Sequence, residues 1–330
     1  MLHVVTGAAG FIGSRLVAAL NRAGITQILA VDDLGSSSRI GNLFDVEIED
    51  YLDKRDFLAQ LETGRLDGAI DSIFHLGACS NTMEADAGYM MANNYAYSKV
   101  VFDWCQSEEV PLVYASSAAV YGAGKEFGET PENENPLNAY AYSKFLFDQY
   151  VRKRFDERNA QVAGLRYFNV YGPNEAHKRE FGMISVALRA YEQFRSEGSV
   201  KLFVGSDGYG NGGQQRDFVH VDDVVSVKLW LMDHRDVSGI FNCGTGRAQT
   251  FNDVAAAVVN AVQESDSTVE ELVERGLIEY IPFPPQLVGK YQSYTQADLA
   301  QLRAAGYARD FMPVEEGVAA YVRELMNGKS

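Results

Sequence analysis

Through the first half of the chain, short apolar runs alternate with longer segments whose apolar residues recur every three to four positions. Residues 4–6, 27–32, 72–77, 112–116 and 162–167 are runs of the first kind. They are too short for helices and carry too few polar positions for a sheet with one wet face, so they read as buried parallel strands. Residues 11–23, 84–107 and 139–158 have helical spacing and lie between most of these runs. The alternation predicts an α/β fold, a doubly wound parallel Rossmann sheet that binds ligands at the carboxyl ends of its strands.

Beyond residue 173 the pattern loosens. It predicts a helix near 184–195, a short strand at 201–204, a glycine-rich loop at 205–213 and a strand at 216–221. A helix over 222–232 with Asp222 as its N-cap, a strand at 239–242 and helices over 252–263, 295–304 and 314–326 follow. No repeat or low-complexity linker separates the halves. The expected organisation is therefore a Rossmann domain of residues 1–172 and 216–243, interleaved with a smaller α/β substrate lobe of residues 173–215 and 244–330.

Composition narrows the partners. A formal net charge of −16 over 330 residues excludes a phosphate-backbone reader, which needs a basic surface. No apolar run is long enough to cross a bilayer, and residues 1–6 read as a strand rather than the charged start of an export signal, so a cytoplasmic protein is expected. Cys79, Cys105 and Cys243 are widely spaced with no metal-ligand pattern, which predicts reduced thiols and no structural metal.

The first strand runs into Gly7-Ala-Ala-Gly10-Phe11-Ile12-Gly13, and the second ends at Asp32-Asp33. Glycines there leave room for a pyrophosphate against the start of the next helix. Further on, Tyr140 and Lys144 stand four apart, on one face of a helix. A phenol acts as a base near neutrality only if something stabilises its phenolate, and Lys144 is the expected cation.

The Gly-x-x-Gly-x-x-Gly spacing, Ser116-Ser117-Ala-Ala-Val-Tyr-Gly122, Tyr140-x-x-x-Lys144 and Asn169-Val-Tyr-Gly-Pro173 together resemble the extended short-chain dehydrogenase/reductases, the NAD-dependent epimerases and dehydratases. The resemblance spans nearly the whole chain. It implies that Ser117 orients substrate, Tyr140 moves the proton and Lys144 binds the nicotinamide ribose. Tyr95 and Lys99 repeat the Tyr/Lys spacing, but precede the strand carrying Ser117 and read as structural.

Longer strings, among them Phe74-His-Leu-Gly-Ala-Cys-Ser80, Tyr142-Ser-Lys-Phe-Leu-Phe-Asp148 and Arg166-Tyr-Phe-Asn-Val-Tyr-Gly-Pro-Asn-Glu-Ala-His-Lys178, are similar to the branch of the family that inverts C6″ of ADP-heptose for lipopolysaccharide. The resemblance implies tightly held NADP, with NAD as the alternative, and homo-oligomers including pentamers. It implies cofactor contacts from Gly7, Gly10, Phe11, Ile12, Gly13, Asp32, Asp33, Arg39, Lys54, Leu76, Gly77, Ala78, Cys79, Ser80, Asn93, Lys144 and Val170. Substrate contacts fall to Asn169, Arg189, Phe203, Val204, Gly205, Ser206, Arg216 and Tyr291, and a second base to Lys178.

By itself Lys178 reads as a solvated lysine in a charged turn, and Arg189 and Arg216 equally as surface ion-pair residues. Leu76 stands where the branch has glutamate, Arg179-Glu-Phe-Gly182 replaces a shorter segment, and residues 208–215 lengthen a loop. A UDP-hexose 4-epimerase would keep Ser117, Tyr140 and Lys144 without needing Lys178. A dehydratase would need an acidic pair where Ala118 and Ala119 stand. A non-catalytic NADP sensor is a further alternative, and would not require the Tyr/Lys pair that is present.

Overall fold

A computed structural model of the chain describes residues 1–35, 38–284 and 292–328. In chain order the first elements are β1 (Leu2–Thr6), α1 (Phe11–Arg22), β2 (Ile28–Asp32), β3 (Asp50–Asp53), α2 (Lys54–Glu62), β4 (Ile70–His75), α3 (Ala87–Met90), α4 (Tyr97–Ser107), β5 (Leu112–Ser117), α5 (Ala139–Arg152) and β6 (Val162–Tyr167). Then come β7 (Asn169–Tyr171), α6 (Val186–Glu197), β8 (Val200–Phe203), β9 (Gln215–Arg216), β10 (Phe218–His220), α7 (Val221–Asp233), β11 (Gly239–Cys243) and β12 (Gln249–Thr250). The last are α8 (Phe251–Gln263), α9 (Val269–Glu274), β13 (Ile278–Ile281), α10 (Ala300–Ala304) and α11 (Val314–Met326).

Seven strands form the main sheet in the order β11-β6-β5-β4-β1-β2-β3. β1 pairs in parallel with both β2 and β4, and β5 with both β4 and β6. The chain therefore reverses direction across the sheet between β1 and β4, the point where a doubly wound sheet opens a crevice for a dinucleotide. All five residues of β2 are buried, as its unbroken apolar run predicts.

The chain packs as two compact units. The first comprises Met1–Tyr167, Val225–Asn242 and Ala300–Tyr307; the second comprises Phe168–Val224, Cys243–Leu299 and Ala308–Ser330. Against the boundaries expected from sequence, this division sets residues 168–172, 216–224 and 243 in the second unit and 300–307 in the first. Val4, Val31, Ile73, Leu112 and Val162 meet Phe57, Phe102 and Phe147 in the core of the first unit. Leu188, Val258, Leu272, Val318 and Tyr321 centre that of the second. Each such aliphatic contributes about 1.5–3 kcal/mol by leaving water, which is what holds the amphipathic helices in place.

Three local expectations change. The segment read as one helix over 84–107 is interrupted by a π-helical turn at Met91–Ala96, between α3 and α4. The helix expected over 295–304 forms only from Ala300, because the preceding backbone is spent elsewhere: Thr295 N–H donates to Gln215 O at 3.2 Å and Ala297 N–H to the Asp217 carboxylate at 2.9 Å. Asp222 lies inside the first turn of α7, which begins at Val221, rather than capping it. Among the described residues no helix is long and apolar enough to cross a membrane.

Candidate active site

In the first unit the glycine turn after β1 is closed to side chains. Gly7 adopts φ +70°, and a Cβ there would lie 2.8 Å from the Gly77 nitrogen; one on Gly13 would lie 2.0 Å from the Gly7 oxygen. α1 starts behind Gly10 with no side-chain cap and no acidic residue in its first turn, where Phe11, Ile12 and Gly13 lie. An anion is favoured against such a helix start, so these residues fit a dinucleotide pyrophosphate.

At the end of β2 the expected charged residues are brought together. The buried Asp32 carboxylate accepts from Ala9 N–H at 2.8 Å, Asp33 N–H at 2.7 Å and Arg39 at 3.2 Å. Lys54 bridges the Asp33 carboxylate at 2.9 Å and the Asn93 amide oxygen at 3.0 Å. Burial pushes the Asp32 carboxyl upward, whereas the hydrogen bond from Lys54 holds that of Asp33 down.

The loop after β4, carrying Leu76, Gly77, Ala78, Cys79 and Ser80, is tied down on both sides. Gly77 N–H donates to Thr6 Oγ1 at 2.9 Å, and the buried Asn94 side chain accepts from Cys79 N–H at 2.8 Å and returns a bond to Cys79 O at 3.0 Å. Behind the loop, Thr6 contacts His75 Nδ1 at 2.8 Å, His75 Nε2 contacts Ser98 at 2.9 Å, and the Ser98 hydroxyl donates to Asn94 O. Because that last bond uses the Ser98 proton, His75 must donate from Nε2 and accept the Thr6 proton at Nδ1. Burial pushes the imidazole down to about 3, so it is neutral and this tautomer fills the chain.

Ser117 closes β5, and α5 begins at Ala139 because the Asn138 side chain accepts from Ala141 N–H at 2.8 Å. Tyr140 and Ser117 are hydrogen-bonded. Burial pushes the Tyr140 phenol up and the hydrogen bond from Ser117 pulls it down. The Lys144 ammonium donates to Ala115 O at 2.8 Å, which uses one of its three N–H groups. Burial pushes Lys144 down to about 8. The other Tyr/Lys set is engaged elsewhere, with the Lys99 ammonium 5.0 Å from the Tyr95 ring centroid and 5.3 Å from that of Tyr150.

The second unit holds the remaining candidates. Asn169 and Val170 lie on β7, which pairs with β10, and Asn169 N–H donates to Asp217 O at 3.0 Å. Lys178 lies in a 3-10 turn, Ala176–Phe181, where burial pushes its amine down and Glu175 pulls it up. Arg189, exposed on α6, donates to Gly182 O at 2.9 Å and so closes that turn. Phe203 ends β8, and the following Val204, Gly205 and Ser206 are drawn toward β9 by Gln214, whose amide donates to Val204 O at 3.4 Å and Ser206 Oγ at 3.0 Å. Arg216 on β9 is buried, with its guanidinium 5.8 Å from the Phe251 ring centroid. Tyr291 lies outside the described residues.

A family model described as the NAD dependent epimerase/dehydratase family matches residues 3–244. The chain belongs to that family. It is 57% identical over 327 residues to ADP-L-glycero-D-manno-heptose-6-epimerase of Thiobacillus denitrificans, covering 98% of each chain. Among solved structures it is similar to the Helicobacter pylori ADP-L-glycero-D-manno-heptose-6-epimerase, at TM-score 0.78 and 26% identity over 98% of this chain and 96% of that one. It is also similar to a Thermus thermophilus UDP-glucose 4-epimerase complexed with NAD, at TM-score 0.75 and 26% identity over 99% of each. Family membership and the cradle between β1 and α1 agree on a nicotinamide dinucleotide.

Sequence reasoning missed the residues that tie down the loop after β4. Thr6, His75, Ser98 and Asn94 form one hydrogen-bonded chain spread over β1, β4, α4 and the π-helical turn before it, and no spacing announces it. Asp148 was legible in principle, as a carboxylate four residues beyond Lys144 on the same helix face.

Proposed function

We propose that this chain inverts C6″ of ADP-D-glycero-β-D-manno-heptose to give ADP-L-glycero-β-D-manno-heptose, supplying heptose for the lipopolysaccharide inner core. The observation that carries this reading is the 57% identity to an ADP-heptose epimerase along 98% of both chains. The match spans the second unit as well as the first, so it covers more than the cofactor-binding part of the chain.

When bound, a nicotinamide would supply the hydride chemistry at C6″, as a two-electron acceptor that returns what it takes. The side chains do the rest. Ser117, already bonded to Tyr140, orients the C6″ oxygen, and Tyr140 moves its proton. Lys144 holds the nicotinamide ribose. Inversion requires acid–base help in two orientations of the carbonyl, and Lys178 serves the second; its lowered amine lets it exchange a proton nearer neutrality than an ordinary lysine. Asn169, Arg189, Phe203, Val204, Gly205, Ser206, Arg216 and Tyr291 receive the ADP-heptose, with the guanidinium groups on its pyrophosphate.

The cofactor in this reading is NADP. Asp32 is already satisfied by backbone N–H groups, and Arg39 and Lys54 bring two cations to the end of β2, where a 2′-phosphate needs them. Identifying the nucleotide released on denaturing purified protein tests this, and NAD alone would overturn it. The protein self-associates in this reading, as a pentamer, which sedimentation tests.

The likeness to UDP-glucose 4-epimerases supports a second reading on the same Ser/Tyr/Lys set. Parallel assays decide between them: ready epimerisation of UDP-galactose with ADP-heptose untouched would refute the first.

A further inference from the structure

Glu175 has no solvent-exposed surface, yet nothing above gives it a task. Its Oε2 accepts from Ser185 N–H at 2.6 Å and its Oε1 from the Ser185 hydroxyl at 2.6 Å. The hydroxyl proton has to go there, because Ser185 Oγ caps α6 by accepting from Leu188 N–H at 3.2 Å. A longer contact comes from Gly172 N–H at 3.4 Å, and the Tyr321 hydroxyl of α11 adds a further bond. Donors thus meet both carboxyl oxygens; burial pushes the carboxyl upward, and Lys178 and the bonds from Ser185 and Gly172 pull it back.

Lys178 stands one turn further along. Its N–H donates to Glu175 O at 2.9 Å, opening the 3-10 turn, and side chains three apart in such a turn eclipse each other. The two groups work against burial for each other: Lys178 pulls the Glu175 carboxyl down, and Glu175 pulls the Lys178 amine up. The remaining charged groups around Tyr321 are Arg179 and Glu192, which pair with each other on the exposed side.

We propose that Glu175 is a positioning residue for Lys178, anchoring the lysine's turn to the start of α6 and supplying the counter-charge of its amine. This rests on Lys178 as second base. The carboxylate keeps part of the amine in its proton-carrying form, so that it can return a proton to the C6″ oxygen as well as remove one. Ser185 and Tyr321 bind the carboxylate and keep it from turning away.

Competitive acetylation of Lys178 with acetic anhydride across pH, read by peptide mass spectrometry on the whole protein, tests the proposal. Such labelling reports the amine whether or not it is a base. Glu175→Gln keeps an acceptor for Ser185 and removes the charge. Its reactivity midpoint is expected to move acidward by about one pH unit, giving about tenfold faster labelling below both midpoints. Glu175→Asp, charged but shorter, is expected between Gln and wild type, and the Lys178-dependent limb of the epimerisation pH profile should move in the same order. An unmoved midpoint in folded Glu175→Gln overturns the proposal; should that variant not fold, an unmoved midpoint in Glu175→Asp does so. Lys178→Met separates the two layers: wild-type epimerisation by that variant overturns the base reading, whatever the labelling shows.

Discussion

Lys144 and Asp148, one turn apart on α5, grip the same strand. The Lys144 ammonium donates to Ala115 O at 2.8 Å, while the Asp148 carboxylate accepts from the hydroxyls of Tyr114 at 3.0 Å and Ser116 at 2.9 Å on either side. Arg166 of β6 closes the arrangement from Nε at 3.0 Å and from Nη2 at 2.8 Å, with both charged side chains fully buried. The helix that carries Tyr140 is thus pinned to β5 and β6 by charge as well as by packing.

Asp148→Asn should therefore be costly. It removes one of the two buried carboxylates on the Arg166 guanidinium and leaves Glu134, so the cost should fall at or below the ~3–5 kcal/mol of a fully uncompensated buried charge. Thermal unfolding should show a drop of several degrees. A midpoint within a degree of wild type would mean that the pair does not hold α5.

Tyr140→Phe removes the phenol and leaves the glycine turn untouched. The variant should keep its nucleotide through purification and lose turnover by about 10²–10⁴-fold. Nucleotide absorbance and a rate assay on the same sample check both halves, and unchanged turnover would remove Tyr140 from the mechanism.

Gly13→Ala places a methyl group 2.0 Å from the Gly7 carbonyl oxygen. The turn has to open to admit it, at a cost of about 1–3 kcal/mol. Purified variant protein should carry little or no nucleotide, and full retention would show that the turn is not the pyrophosphate cradle.

His75 makes a prediction about acid. Its imidazole is held neutral in the fold, down to about 3, whereas the unfolded chain takes up a proton near the ordinary 6.5. The folded value is the lower one, so the unfolded state binds more protons between the two. This contribution is complete above about pH 6.5 and is lost at about 1.4 kcal/mol per unit as the pH falls. The stability gap between wild type and His75→Asn should narrow by about 2 kcal/mol from pH 7 to pH 5. A gap independent of pH would contradict a neutral buried histidine.

The sheet was legible because β1, β2, β4, β5 and β6 are buried on both faces and nearly unbroken in sequence. β3 was not, since Asp50–Asp53 carries an acidic residue at each end and pairs only at the sheet margin. The helix over 295–304 failed because periodicity cannot register that Gln215 and Asp217 claim its first N–H groups. In the candidate site, Gly7, Gly13, Ser117, Tyr140 and Lys144 could be read from spacing. The anchoring of Lys144 to Ala115 O could not, because that acceptor is visible only in three dimensions. Asn94 and Glu175 were hidden for a related reason: each acts by bonding backbone far along the chain or on the next element.

Turnover of ADP-D-glycero-β-D-manno-heptose carrying deuterium at C6″ tests the central claim most directly, with the product read by NMR. Removal and return of one hydride by a retained nicotinamide predicts the L-glycero epimer with deuterium still at C6″. No epimer, or an epimer whose deuterium has exchanged with solvent, would contradict it.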